Sequence, residues 1–194
     1  MKKIETAGEK EKREARNRLI IGIILVGIMV LSTAGYAFFS NERTNGSTNN
    51  GESLDYNGLI FEKGNDGYWH TAIQGYNFSF SFNPKETENI SGYIFLKLNS
   101  YANKPLYFSS GSNALGIGEI TRNIGNFVER VQYVCVSNCS EDLPVKNCSD
   151  NIISIEDSNE TSIKQEENCS YILARYDDVL KASDKFIFKI LGIN

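Results

Sequence analysis

The sequence predicts an α+β fold: an N-terminal transmembrane helix followed by an extracytoplasmic domain with an antiparallel β meander and two amphipathic helices. Three observations predict it. One run of 21 residues carries no charge. Apolar and polar residues alternate with a period of two around Phe78, Phe80 and Phe82. The spacing of apolar residues then changes to three and four after Ala114, and again after Asp177.

Residues 1–18 form a charged tail with seven Lys and Arg and four Glu. Leu19 to Phe39 follows as LIIGIILVGIMVLSTAGYAFF, and at ~1.5 Å of rise per residue it spans roughly 31 Å, one hydrocarbon core. The lipid bilayer is therefore the partner expected for Leu19 to Phe39. Basic residues crowd the N-terminal flank, whereas Arg43 alone closely follows the run, so positive-inside logic places the N-terminus in the cytoplasm and the remainder outside. Gly35-Tyr36-Ala37 offers a competing signal-peptidase site after Ala37, but the long basic flank and long apolar run favour an uncleaved anchor. Residues 40–53 contain no apolar side chain and read as a flexible linker.

Residues 54–194 are long enough to bury a core. From residue 40 onward there are 13 Lys and Arg against 20 Asp and Glu, a balance unsuited to phosphate backbones, so no nucleic-acid partner is expected. Tyr56 to Glu62 reads as a strand, Gly64-Asn65-Asp66-Gly67 as a turn, Tyr68 to Ile73 as a strand and Gln74-Gly75 as a second turn. YNFSFSFN, ended by Pro84, has one dry and one wet face. Ile90 to Leu98 and Leu106 to Ser109 are further strand candidates. Ala114 to Glu129 is predicted as an amphipathic helix behind Ser112-Asn113 caps, weakened by Gly118 and Gly125. Short strands are expected at Arg130–Val136, Ile152–Glu156 and Tyr171–Arg175. A last helix runs from Asp177 to Leu191, with Asp177 as cap and i+4 partner of Lys181, a solvated stripe of Lys181, Lys185 and Lys189, and Gly192 as stop.

Cys135, Cys139, Cys148 and Cys169 all follow the apolar run, and an even count outside the membrane implies two disulfides. Three pairings exist; the loop SEDLPVKN between Cys139 and Cys148 favours that bridge and leaves Cys135–Cys169 as the other. The cysteine spacing does not match tight zinc pairs, and C-x-x-C is absent. No cofactor or metal is implied. Seven N-x-[ST] sequons occur, and loop position makes Asn45 and Asn159 the favoured glycosylation sites.

No catalytic residue is assigned. The single histidine excludes centres built on two or three imidazoles. His70 beside Trp69 has no nucleophile motif near it and reads as an ordinary polar strand residue. The segment Gly111 to Gly118 lacks the lysine of a phosphate loop and reads as a helix-start turn. Aromatics are dense between Tyr56 and Phe108, with 13 of the 22, as a sheet core requires and as a glycan-stacking surface would also show.

NFSFSFNPKETENI, VCVSNCSEDLPVKNCSDNIISI and SDKFIFKILGI together resemble uncharacterised small single-pass membrane proteins of archaea. That resemblance implies the layout and supplies no catalytic residues. The expected function is a structural or binding role at the cell surface, with a surface protein or glycan as partner. The alternative is an extracytoplasmic hydrolase using acidic residues such as Glu86 and Glu88, with His70.

Overall fold

In a computed structural model of the protein, the described residues are 20, 51–136, 139 and 141–193. The chain divides into two compact units, Met1–Asn49 and Asn50–Asn194, and the strands and helices described belong to the second. The expected tail, the anchor apart from Ile20, and most of the linker, with Asn45, lie outside the described residues. Among the described residues, no helix is long and apolar enough to cross a membrane.

The expected meander is present. Strands β1 (Ser53–Tyr56), β2 (Leu59–Lys63), β3 (Trp69–Ile73) and β4 (Tyr76–Phe80) form an antiparallel sheet in chain order. The stretch Tyr56 to Glu62 is not one strand, because Asn57 and Gly58 take φ 54° and 80° and turn the chain between β1 and β2. Gln74 and Gly75 do the same between β3 and β4, at φ 52° and 85°. Two consecutive left-handed residues suit the twist of a tight hairpin. Trp69 faces Phe80 and Thr71 faces Phe78 on the dry face, while His70 faces Ser79 on the wet face.

The second sheet extends beyond the scattered short strands expected. Its strands are β5 (Ser91–Gly92), β6 (Pro105–Ser109), β7 (Arg130–Val134), β8 (Ile152–Asp157), β9 (Ser162–Glu166) and β10 (Cys169–Ala174), in the order β5-β9-β10-β8-β6-β7. The run β10-β8-β6-β7 is parallel, and β9 is antiparallel to β10. Parallel neighbours need a crossover, and helix α2 (Ala114–Ile124) provides it between β6 and β7. The expected strand Ile90 to Leu98 shrinks to β5. Beyond it, the Phe95 and Leu96 amides donate to Gln165 Oε1 at 2.7 and 3.1 Å, so a side chain takes the place of a ladder. Helix α1 (Leu98–Tyr101) then begins.

Helix α2 starts where expected, with the Leu115 amide donating to Asn113 Oδ1 at 3.0 Å. It ends at Ile124, short of Glu129, with Gly125 as C-cap. The following turn is drawn toward β6, since Asn103 N–H donates to the Phe127 carbonyl and Glu129 N–H to the Lys104 carbonyl. Helix α3 (Val179–Leu191) also matches expectation, and Gly192 at φ 80° closes it with Gly192 N–H to Lys189 and Ile193 N–H to Phe188. Its start differs. Asp178, not Asp177, occupies the cap position, and its carboxylate accepts from Arg175 and Thr161 instead of from the helix. Tyr176–Asp178 forms a 3-10 turn before it.

The expected lysine stripe on α3 is corrected as well. Lys185 is only 9% exposed. Burial, followed by the neighbouring Lys189 charge, lowers its pKa. The cause is that α3 lies between the two sheets and has little solvent face. On one side Phe188 meets Phe80 and Phe61 at 4.5 and 6.0 Å between ring centroids; on the other Phe186 meets Tyr101 at 6.3 Å and the helix packs on β10. Gly116 lets α2 come close: a Cβ there would sit 2.8 Å from Ile155 Cδ1 and 2.9 Å from Ser183 Oγ. Sheet, helices and sheet thus share one apolar core.

Candidate functional site

The second sheet has two faces. Leu106, Phe108, Ile153, Ile155 and Ile172 point into the shared core. Tyr107, Ile152, Cys169 and Tyr171 belong to a smaller cluster on the other face, alongside Val134 and Val136. A cavity of about 310 Å³ opens on this face, lined by Ser109, Ser110, Gly111, Ser154, Glu156 and Tyr171 among others. It lies where β6 and β8 approach their C-terminal ends. From β6 the chain passes to β7 on one side, and β8 lies on the other, so this is a switch point of the parallel run. Open sheets of this kind place ligands at such a point.

The polar groups in the cavity form a chain. Ser109 Oγ lies 2.9 Å from Ser112 Oγ and 2.6 Å from Ser154 Oγ, and Ser154 Oγ donates to Glu156 Oε1 at 2.6 Å. Ser109 and Ser154 are buried, whereas Glu156 is exposed. Burial, then the Glu166 and Glu156 charges, raises the Tyr171 phenol pKa. Among the described residues the lining includes no Lys or Arg, and it presents hydroxyls, the Glu156 carboxylate and an aromatic ring.

Both disulfides reach its wall. The bonds are Cys135–Cys139 and Cys148–Cys169, and Cys139 and Cys169 line the cavity. The two-disulfide expectation therefore holds, but the pairing Cys139–Cys148 with Cys135–Cys169 is corrected. Cys135 follows β7 and Cys169 begins β10, three strand positions away. At roughly 4.8 Å per position the gap is ~14 Å, twice what a disulfide spans. Within the loop between the bridges, Cys135 N–H donates to the Pro144 carbonyl and Lys146 N–H to the Cys135 carbonyl, which lays that loop along the end of β7.

A second polar cluster runs along β4. The open edge of that strand is closed by side chains from the helices. Ser79 N–H donates to Asn123 Oδ1 at 2.9 Å, and Asn123 Nδ2 donates back to the Ser79 carbonyl at 2.8 Å. Just beyond β4, Ser81 N–H and Oγ donate to Glu119, and Phe82 N–H donates to Asp184 Oδ2 at 2.8 Å. Arg122 pairs with Glu119 and reaches the Ser79 carbonyl. Asp184 is fully buried, and burial together with the adjacent Glu119 charge pushes its pKa well above the usual carboxylate range. This cluster acts as a clamp, satisfying backbone that a neighbouring strand would otherwise satisfy.

On the wet face of the same strand, Ser79 Oγ lies 2.9 Å from His70 Nδ1, and His70 Nε2 lies 3.0 Å from both Asp66 oxygens. No nucleophile motif lies near His70 in the chain; the β3–β4 register brings Ser79 opposite it. The hydrogen bond from His70, then that from the Tyr68 amide, lowers the Asp66 pKa, so the carboxylate is ionised and can only accept. Nε2 accordingly carries a proton, and in the neutral ring Nδ1 accepts from the Ser79 hydroxyl.

Protein-family models, curated proteins and solved structures yield no match to this chain.

The other residues singled out in the sequence stand apart from both clusters. Glu86 Oε2 accepts from the Asn83 amide at 2.7 Å while Asn83 Oδ1 accepts from the Glu86 amide, a reciprocal cap on the 3-10 turn Lys85–Thr87. Glu88 is exposed just after that turn. Neither forms a described hydrogen bond with His70. Asn159 is exposed in the loop between β8 and β9, as glycosylation needs, and Asn77, Asn89 and Asn147 are also exposed. Asn168 donates its amide to the Ser149 carbonyl. Among the described residues, no group of three or more His, Cys, Asp or Glu could hold a metal ion.

Proposed function

We propose that this chain is a single-pass membrane protein whose C-terminal domain, displayed outside the cell, binds a small neutral hydroxylated ligand of the sugar class. The observation that carries this reading is the cavity of about 310 Å³ walled by one cysteine from each disulfide. Paired cysteines downstream of the apolar run fit an oxidising exterior. A volume at the lower end of the range for ligand pockets fits one small ligand. Hydroxyls at Ser109, Ser110 and Ser154 both donate and accept, as a polyol requires, and the Tyr171 ring offers a stacking face. Glu156 would take a further ligand hydroxyl and disfavours anions.

The test uses the full chain in detergent micelles, with neutral hexoses and N-acetylhexosamines followed by saturation-transfer NMR. At least one sugar is expected to show transfer that is lost in Ser154→Val and in Glu156→Gln. No transfer from any member of the panel, or transfer unchanged by both substitutions, would overturn the reading.

A further inference from the structure

We propose that Ser79 is an activated nucleophile, held by His70 and Asp66, that takes acyl groups from small unhindered esters. The inference goes beyond the sugar-binding reading, since it rests on β3, β4 and the turn before β3 and does not involve the cavity. The geometry has three parts. Ser79 Oγ is 2.9 Å from His70 Nδ1, and the opposite ring nitrogen is 3.0 Å from an ionised carboxylate, which fixes the tautomer that can accept the serine proton. The base is thus oriented by a third group through its other nitrogen.

The surroundings hold that arrangement in place. Gly64 bonds across the turn, its amide donating to the Tyr68 carbonyl at 2.8 Å. A Cβ on Gly64 would lie 2.5 Å from Asp66 Oδ1 and 2.6 Å from His70 Nε2, so the turn leaves only enough room for the pair. Tyr68 N–H donates to Asp66 Oδ1 at 3.1 Å and orients the carboxylate. Asn123 grips both backbone groups of Ser79, which fixes the position of its hydroxyl. Arg122, paired with Glu119, stacks on Tyr68 at 4.1 Å and donates to the Ser79 carbonyl, which adds a second hold on the nucleophile's backbone.

The reaction follows from these positions. Ser79 Oγ adds to the ester carbonyl as its proton passes to His70 Nδ1. The tetrahedral intermediate collapses, the bond from carbonyl carbon to alkoxy oxygen breaks, and the leaving alcohol takes the proton from Nδ1. An acyl-Ser79 remains, and water added with the same base releases the acid and restores the hydroxyl. The Ser79 amide is held by Asn123, so it is not free to stabilise the oxyanion, and the acyl group is transferred slowly. His70 lies on an open sheet face, which suits a substrate with little bulk.

The experiment treats the full chain with a fluorophosphonate reagent and maps the adduct by peptide mass spectrometry. Ser79 is expected to react at least about tenfold faster than Ser91, an exposed serine on β5, in keeping with the contribution of a positioned base. His70→Gln should abolish that preference together with its pH dependence. Asp66→Asn and Gly64→Ala should lower it partially, and Glu62→Gln, the cross-strand neighbour of His70 outside the relay, should leave it unchanged. Near-ultraviolet circular dichroism of each variant checks that the aromatic core is intact. Labelling of Ser79 no faster than of Ser91, labelling unaffected in folded His70→Gln, or an equal loss in Glu62→Gln would overturn the proposal.

Discussion

The two sheets deal with exposed backbone in different ways. The four-stranded sheet ends at β4, whose edge is closed by Asn123, and whose continuation is held by Glu119 and Asp184. The six-stranded sheet ends at β7, where Val131 and Tyr133 remain 40% and 49% exposed, and Cys135 beyond it pairs with Val145 of the disulfide loop. The first sheet is therefore fastened by noncovalent polar contacts made through buried side chains. The second is fastened covalently, and on its outer face, where the cavity opens. Polar groups serve the fold in the first case and are left facing a space in the second.

The difference can be broken at either end. The largest effect is expected from Asp184→Ala, which removes a buried side chain and leaves the Phe82 amide without its acceptor. A loss of about 3–4 kcal/mol should appear in urea unfolding of the domain. Replacing Cys148 and Cys169 together by Ala should cost about 3 kcal/mol, from a bridge with sequence separation 21. The bridge Cys135–Cys139, with separation 4, should contribute less, about 2 kcal/mol. If the short bridge proved the more stabilising, the loop-entropy account of the second sheet would fail.

Asn123→Ala should cost about 2 kcal/mol, because the Ser79 amide loses its acceptor and the carbonyl loses one of its donors. Its amide hydrogen exchange should speed up at Ser79 and leave β8 and β10 unaffected.

The smallest change sharpens the clamp. The raised Asp184 pKa means that its stabilising contribution is fully present below the ordinary carboxyl value near ~4 and is lost as pH rises through the folded value. Asp184→Asn should therefore lie within about 1 kcal/mol of the parent chain at low pH and become the more stable of the two as pH rises. Melting temperatures of both proteins across that range check it. Parallel curves would mean that Asp184 titrates alike in the folded and unfolded chains and that its pKa is not raised.

How far each sheet could be read from the sequence follows the same division. The meander was legible because its strands are half-wet, so Phe78 and Phe80 alternate with polar partners and glycine turns separate the strands. In the second sheet β8 was expected as a strand, at Ile152–Glu156, but it is buried on both faces, and Ile152, Ile153, Ser154 and Ile155 carry no alternation that would show which side faces the shared core. β9 was missed because SIKQE buries only Ile163. Its presence pushes β10 between β9 and β8, an order that no local pattern announces. The cavity residues were obscured likewise. Ser109 and Ser154 lie 45 positions apart and meet only through the parallel β6–β8 register. For the relay, a signal existed in part: Ser79 lies on the wet face of the alternation, and the Gly64–Gly67 turn placed Asp66 four residues before His70. Recognising their meeting required the hairpin register, which Gln74-Gly75 sets.

The disulfide error has the same origin. Loop composition suggested Cys139–Cys148, whereas strand order forbids its complement, Cys135–Cys169. A non-local fact decided a pairing that local features could not.

The proposed display outside the cell requires the disulfide-walled face to be oxidised and to lie beyond the membrane. Intact cells expressing the full chain can be treated with a membrane-impermeant maleimide before and after an impermeant reductant, followed by peptide mapping. No labelling is expected before reduction, and labelling of Cys135, Cys139, Cys148 and Cys169 is expected after it, without lysis. Labelling before reduction, or labelling that appears only once the cells are broken, would contradict it.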